Sequence, residues 1–274
     1  MRIVSIVLVW CCVGCVEEDF KSSWSGTQGD PLLTDTAAFT DGMDDTTSTD
    51  TETSGTEISP RFADVVIDAP GASEAPFRDP QLAVNGVRGG GKGSGSLDVF
   101  SLGLRVGVDD TLTLGWSGAR VFDGAGDDLV VFENPFRYAE AAWFMDLVVL
   151  EVSPDGVSWV AFPVDYTAED ESVYVPDMAL WEGFAGRMPV WLHEESFQVD
   201  PFFTKMAGGD AFDLATLPPG EVTDAIARDG VLQVRLRGAA TVINPDTGAP
   251  FVRDPVSNGP DIDGVYARYP FPVR

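Results

Sequence analysis

From Arg61 onward the apolar residues come in short runs: "ADVVIDA", "LDVFSLGLRVG", "TLTLGW", "DLVVFEN", "LVVLEVS", "VSWVAFPV", "VLQVRLRG" and "IDGVYAR". Gly, Pro and Asp clusters separate them. Short strands spaced by turn signals predict an antiparallel β-sandwich. "LVVLEVSPDGVSWVAF" predicts a hairpin over 147–162, because "SPDG" places Pro and Gly where a tight turn wants them. "VLQVRLRG" sets Val231, Gln233, Arg235 and Arg237 against Leu232, Val234 and Leu236, a strand with one wet face. "DLVVFEN" is apolar on both faces and reads as an interior strand. Glu133 continues its Leu129–Val131 face, so a carboxylate is aimed at packed side chains and needs an Arg, N–H groups or a metal. Helical periodicity is scarce. "PPGEVTDAIARDG" suits a short helix, and "PFRYAEAAWFMD" suits either one helical turn or a strand approach.

The first sixty residues have a different pattern. Met1 and Arg2 precede an apolar run over 3–13, too short to span a bilayer but suited to a secretory signal. "VGC" resembles the end of a bacterial lipobox, although Cys12 stands where Leu is usual. The resemblance implies a signal peptide over 1–14 and a lipidated Cys15. Val16 behind it favours the outer membrane. Residues 15–60 are rich in Thr, Ser, Asp and Gly and poor in large apolar groups. They are expected to be a disordered tether reaching about 35–40 Å. The β-sandwich domain is expected over 61–274. All three cysteines lie in "CCVGC", so the mature domain is expected to lack thiol and disulfide chemistry.

The formal charge is -27. Such a surface repels phosphate backbones and argues against nucleic acid as a partner. It also suits a protein that gathers divalent cations.

"GGGKGSGSLDVFSLG", "DGAGDDLVVFENPF", "LEVSPDGVSWVAFP", "AGGDAFDLA" and "GPDIDGVYAR" follow in this order. Together they resemble a family of bacterial cell-surface lipoproteins. The strand pair around "VSPDGVSW" resembles galactose-binding-like, discoidin-type jelly rolls. The closing motif departs from the family pattern at Pro260, where Phe is usual, and at Gly264, where Ala is usual. The resemblance implies a β-sandwich, an extracellular position and often a structural calcium.

Acidic residues supply the candidate metal ligands. "DGAGDD" sets Asp123, Asp127 and Asp128 around two glycines, with Glu133 and Asn134 one strand length on. "AGGDAFDLA" adds Asp210 and Asp213. "PDIDG" adds Asp261 and Asp263 on alternate positions, hence one expected face. Calcium takes six to eight such oxygens, while aspartates also favour turns and caps without any ion. Some of these acids could instead pair with Arg235, Arg237 or Arg268. "GVRGGGKG" falls short of a P-loop, because Gly93 stands where Ser or Thr should hold magnesium. His193 is the only histidine, so a two-His metal site cannot form within one chain. Trp181 and Trp191 lie in "ALWEGFAGRMPVWLHEESF" and are the candidate surface for a glycan or surface protein. The function expected is a lipid-anchored, non-catalytic, calcium-stabilised binding or structural module. The alternative is a carboxylate-dependent hydrolase using Asp127, Asp128 or Glu133.

Overall fold

The computed structural model describes residues 60–139 and 142–273. The signal peptide, Cys15 and nearly all of the tether lie outside the described residues. The described strands are, in chain order, β1 (Arg61–Phe62), β2 (Val65–Asp68), β3 (Phe100–Ser101), β4 (Thr111–Gly115), β5 (Ala119–Val121), β6 (Leu129–Glu133), β7 (Phe136–Ala139) and β8 (Ala142–Phe144). They continue with β9 (Val148–Ser153), β10 (Val160–Ala161), β11 (Asp165–Tyr166), β12 (Trp181–Glu182), β13 (Asp210–Phe212), β14 (Gln233–Gly238), β15 (Asp261–Ala267) and β16 (Pro270–Pro272). Two α-helices are described, α1 (Thr204–Ala207) and α2 (Glu221–Asp229), besides four short 3-10 turns.

Two five-stranded sheets form the sandwich. The first runs β1-β15-β6-β13, with β3 also on β15, and the second runs β10-β9-β14-β4-β2. Their pairings are antiparallel. Leu129 and Val131 of β6 and Ile262, Val265 and Ala267 of β15 face inward, as do Leu112, Leu114, Leu150, Val152, Val234 and Leu236 of the other sheet. Each of the Val, Leu and Ile side chains contributes about 1.5–3 kcal/mol on burial.

Strand β6 is buried along its whole length, as its doubly apolar pattern predicts. Its other face, Val130 and Phe132, is covered by Val87, Val190, Leu192, Phe202 and Ala207. A third apolar cluster gathers Met145, Tyr166, Trp181, Phe184 and Phe251. The 147–162 hairpin is present as β9 and β10. The Ser153 hydroxyl accepts the Gly156 N–H at 2.8 Å and so closes the turn. Helix α2 forms where the sequence suggests.

One local reading needs correction. Buried and half-buried residues alternate along β14 from Gln233 to Gly238, but Val231 is buried rather than wet. It lies before the strand and bridges Val121. Of the two alternatives for "PFRYAEAAWFMD", its described residues take the strand one, pairing as β7 and β8. Gly264 has φ +150, and a Cβ there would lie 2.2 Å from the Phe62 ring. The glycine lets Phe62 pack across β15.

Candidate functional site

The predicted metal ligands separate into several places. Asp123, Asp128 and Asp213 converge, each offering an oxygen within 4.8 Å of the others. Asp128 directly precedes β6 and is fully buried. Its Oδ1 accepts the Gly124 N–H at 2.9 Å and its Oδ2 accepts the Leu214 N–H at 2.8 Å. One carboxylate therefore ties two loops together. Asp213 accepts the Ala215 N–H at 2.8 Å and caps the turn that follows it. Backbone donors account for these two acids, as turn and cap aspartates. Asp127 points to solvent outside the group.

Burial pushes the Asp128 carboxyl up to about 6, and the negative charges of Asp123 and Asp213 add to this against the two N–H donors. The folded state then holds a proton that the unfolded chain releases near pH 4. Stability from this group is full below pH 4 and falls as pH rises to about 6. A shift of this size corresponds to about 3 kcal/mol, which solvent at the rim reduces to roughly 1–2 kcal/mol. Urea unfolding of the wild type and of Asp128→Asn at pH 4.5 and pH 7 measures it. The wild type should lose more stability over that interval than the variant does.

Asp210 is not free to hold a metal. Arg187 reaches it twice, through Nε to Oδ1 at 3.0 Å and through its backbone N–H to Oδ2 at 2.9 Å. The Met188 N–H adds a third donor at 3.3 Å. Asp261 and Asp263 do not share a focus. Ile262 pairs with Glu133 and Gly264 with Phe132, so Asp263 is the extra residue of a β-bulge. The bulge breaks the alternation that the sequence reading assumed. Asp263 instead accepts the Arg88 N–H on both oxygens at 3.0 Å, and burial pushes it up to about 8. Asn134 clasps the glycine-rich loop, its Nδ2 donating to the Ser96 carbonyl at 3.0 Å while its Oδ1 accepts the Ser96 N–H. The anticipated pairings with Arg235 and Arg237 go to Glu151 instead. Arg268 lies over the Phe202 ring.

Glu133 and Asp261 meet in a recess of about 150 Å³, walled also by Asn134, Phe136, Phe144, Asp146 and Ser257. Glu133 is 3% exposed. Its Oε1 accepts the Asp261 N–H at 3.0 Å, but Oε2 is buried without a partner, as is Asp261 Oδ1. Burial raises the Glu133 carboxyl well above the usual range, and the charge on Asp146 adds to it. Burial also pushes Asp146 up to about 6, against the Ser257 hydroxyl that donates to its Oδ1 and with help from Asp261 and Asp254. Asp261 is raised by burial too. Asp146 closes the "FMD" segment and escaped the sequence reading, because no alternation pointed it at β6.

Trp181 is corrected outright. It is fully buried, stacked on Tyr166 with ring centroids 3.7 Å apart, and its Nε1 donates to the Val175 carbonyl at 3.0 Å. The long connection folds over its own aromatics. Trp191 is half-buried and lines a shallow groove of about 350 Å³ with Phe197, Lys205 and Met206. Phe197, Phe203 and Met206 are 40–50% exposed. The glycine loop packs beside this groove, with the Gly91 N–H donating to the Val190 carbonyl at 2.7 Å. His193 is a turn residue whose Nδ1 accepts the Glu195 and Ser196 N–H groups. Among the described residues no helix is long and apolar enough to cross a membrane. No protein-family model, curated protein or solved structure matches the chain.

Proposed function

We propose that this protein is a non-catalytic binding module of the bacterial cell envelope, held there by lipid on Cys15 and facing outward from the outer membrane. Its ligand is a glycan, its binding surface is the Trp191 groove, and calcium stabilises the sandwich. The observation that carries the binding role is the groove itself. Trp191, Phe197 and Met206 present apolar surface beside one ammonium, Lys205. Exposed apolar patches rimmed by polar groups mark interaction sites. A volume of about 350 Å³ falls in the range of small-ligand sites, where apolar walls and a few polar groups fix orientation. A sugar offers a flat apolar face to an aromatic ring and hydroxyls or a carboxylate to the lysine.

The hydrolase alternative is less well supported. Asp127 stands apart in solvent, and both Asp128 oxygens hold backbone donors. Glu133 lines a recess of about 150 Å³, below the size of pockets that enclose organic substrates.

A glycan array probed with the full chain, followed by calorimetric titration of any retained saccharide, tests the proposal. Trp191→Ala should weaken binding at least about tenfold, equal to about 1.4 kcal/mol, with little change in melting temperature. An array without retained saccharides, or a Trp191→Ala variant that binds as well as the wild type, overturns it.

A further inference from the structure

We propose that the recess bounded by Glu133, Asp146 and Asp261 is a calcium site. The inference rests on the calcium-stabilised reading above and gives that calcium a place; it is independent of the Trp191 groove. Three chain segments build the recess: the end of β6, the residue that closes 142–146, and the approach to β15 over 257–261. Glu133 Oε2 and Asp261 Oδ1 are both buried and both lack a partner. Leaving a buried polar atom unsatisfied is costly, more so when it carries charge. Asp146 has one oxygen engaged by Ser257 and keeps the other.

Positive charge is scarce around these acids. Arg253 is the cation that bears on Asp146, and its Nη1 is engaged by the Asp254 and Ser257 carbonyls at 3.1 Å. The recess thus gathers three carboxylates, with Asp254 behind them, and a bound cation would balance their charge.

The chemistry of the walls selects the ion. The polar wall residues, Glu133, Asn134, Asp146, Ser257, Asn258 and Asp261, carry oxygen and amide groups, with no His or Cys among them. Hard oxygen donors suit calcium or magnesium rather than zinc. The carboxylates do not draw together as the Asp123 group does, since no three of them bring oxygens within 4.8 Å of one another. Calcium–oxygen bonds of about 2.3–2.6 Å hold two ligand oxygens no more than about 5 Å apart, so two of these carboxylates would bind the ion directly and the third would act through a water. Calcium takes six to eight oxygens in flexible geometry and accepts waters among them. A recess of about 150 Å³ has room for the ion and several waters. Gly186 packs close behind these acids: it has φ +87, and a Cβ there would lie 2.5 Å from the Asp146 carbonyl oxygen and 3.2 Å from Glu133 Oε2.

The competing place for calcium is the Asp123, Asp128 and Asp213 group, and the test separates the two. The full chain, stripped with chelator, is titrated with calcium chloride by calorimetry and by thermal unfolding, without saccharide. One calcium should bind, and the melting temperature should rise by about 5–10 °C at a hundredfold excess over Kd. Glu133→Gln and Asp261→Asn keep the side-chain shape and remove buried charge. Each should melt in chelator no lower than the wild type and lose the calcium shift. Asp123→Asn should keep it. The absence of heat and shift at millimolar calcium overturns the site. So does a shift that survives in both recess variants or is lost in Asp123→Asn. Because no saccharide is present, failure here leaves the glycan reading standing, and failure on the array leaves the calcium site standing.

Discussion

Phe132→Ala is expected to destabilise the protein by about 3–5 kcal/mol, the range for emptying a buried aromatic site. Phe132 sits at the centre of the first sheet, fully buried. Its ring is edge-on to Tyr266, with centroids 6.1 Å apart. Around it stand Val87, Val190, Leu192, Phe202 and Ala207, the layer that covers the outer face of β6. These neighbours come from separate parts of the chain, so they cannot close the hole by a single local shift. A loss of this size is a large share of the stability of a typical domain. Equilibrium urea unfolding measures it. A loss below about 1 kcal/mol would mean that the outer layer is not packed on β6 as described.

The second large effect concerns the Arg187–Asp210 pair. Asp210 is nearly inaccessible, while the Arg187 guanidinium keeps some contact with solvent. Burial holds the Asp210 carboxyl above its usual range even with the guanidinium beside it. Arg187→Ala removes that guanidinium and leaves the charge with backbone donors only. Breaking one side of a buried pair costs about 3–5 kcal/mol. The loss should be greater at pH 8 than at pH 5, because the stranded carboxyl can take up a proton at the lower pH. Adding Asp210→Asn to Arg187→Ala should recover much of the loss. Urea unfolding of both variants at the two pH values checks this. Equal losses at pH 5 and pH 8 would show that the charge is not what matters.

How far the sequence reveals this molecule depends on how local each signal is. "DLVVFEN" states a doubly covered strand in its own seven letters, and β6 is that strand. Glu133 was legible as a problem carboxylate for the same reason, since alternation alone aims it inward. The "SPDG" hairpin was equally local. The recess was only half legible. Glu133 and Asp261 carry visible acids in strand contexts, but Asp146 follows a segment whose pattern suits helix and strand alike. Asp263 was misjudged because a bulge inserts one residue into β15 and reverses the face that counting predicts. Asp210 was misjudged because its partner lies 23 positions earlier, beyond the reach of any periodicity. Trp181 was misjudged because the connection that contains it folds into a small core with Tyr166 and Phe184, and nothing in its spacing distinguishes that core from an open loop.

Strand β1 opens the described sandwich and β15 nearly closes it, and the two are neighbours in one sheet. Arg61 pairs with Ala267, which puts their backbones roughly 5 Å apart. The first strand and the last long strand are therefore side by side, ahead of the short β16 that returns to β5. A ring closed by a short linker across that gap and reopened in an exposed loop would thread the same two layers from a different starting point.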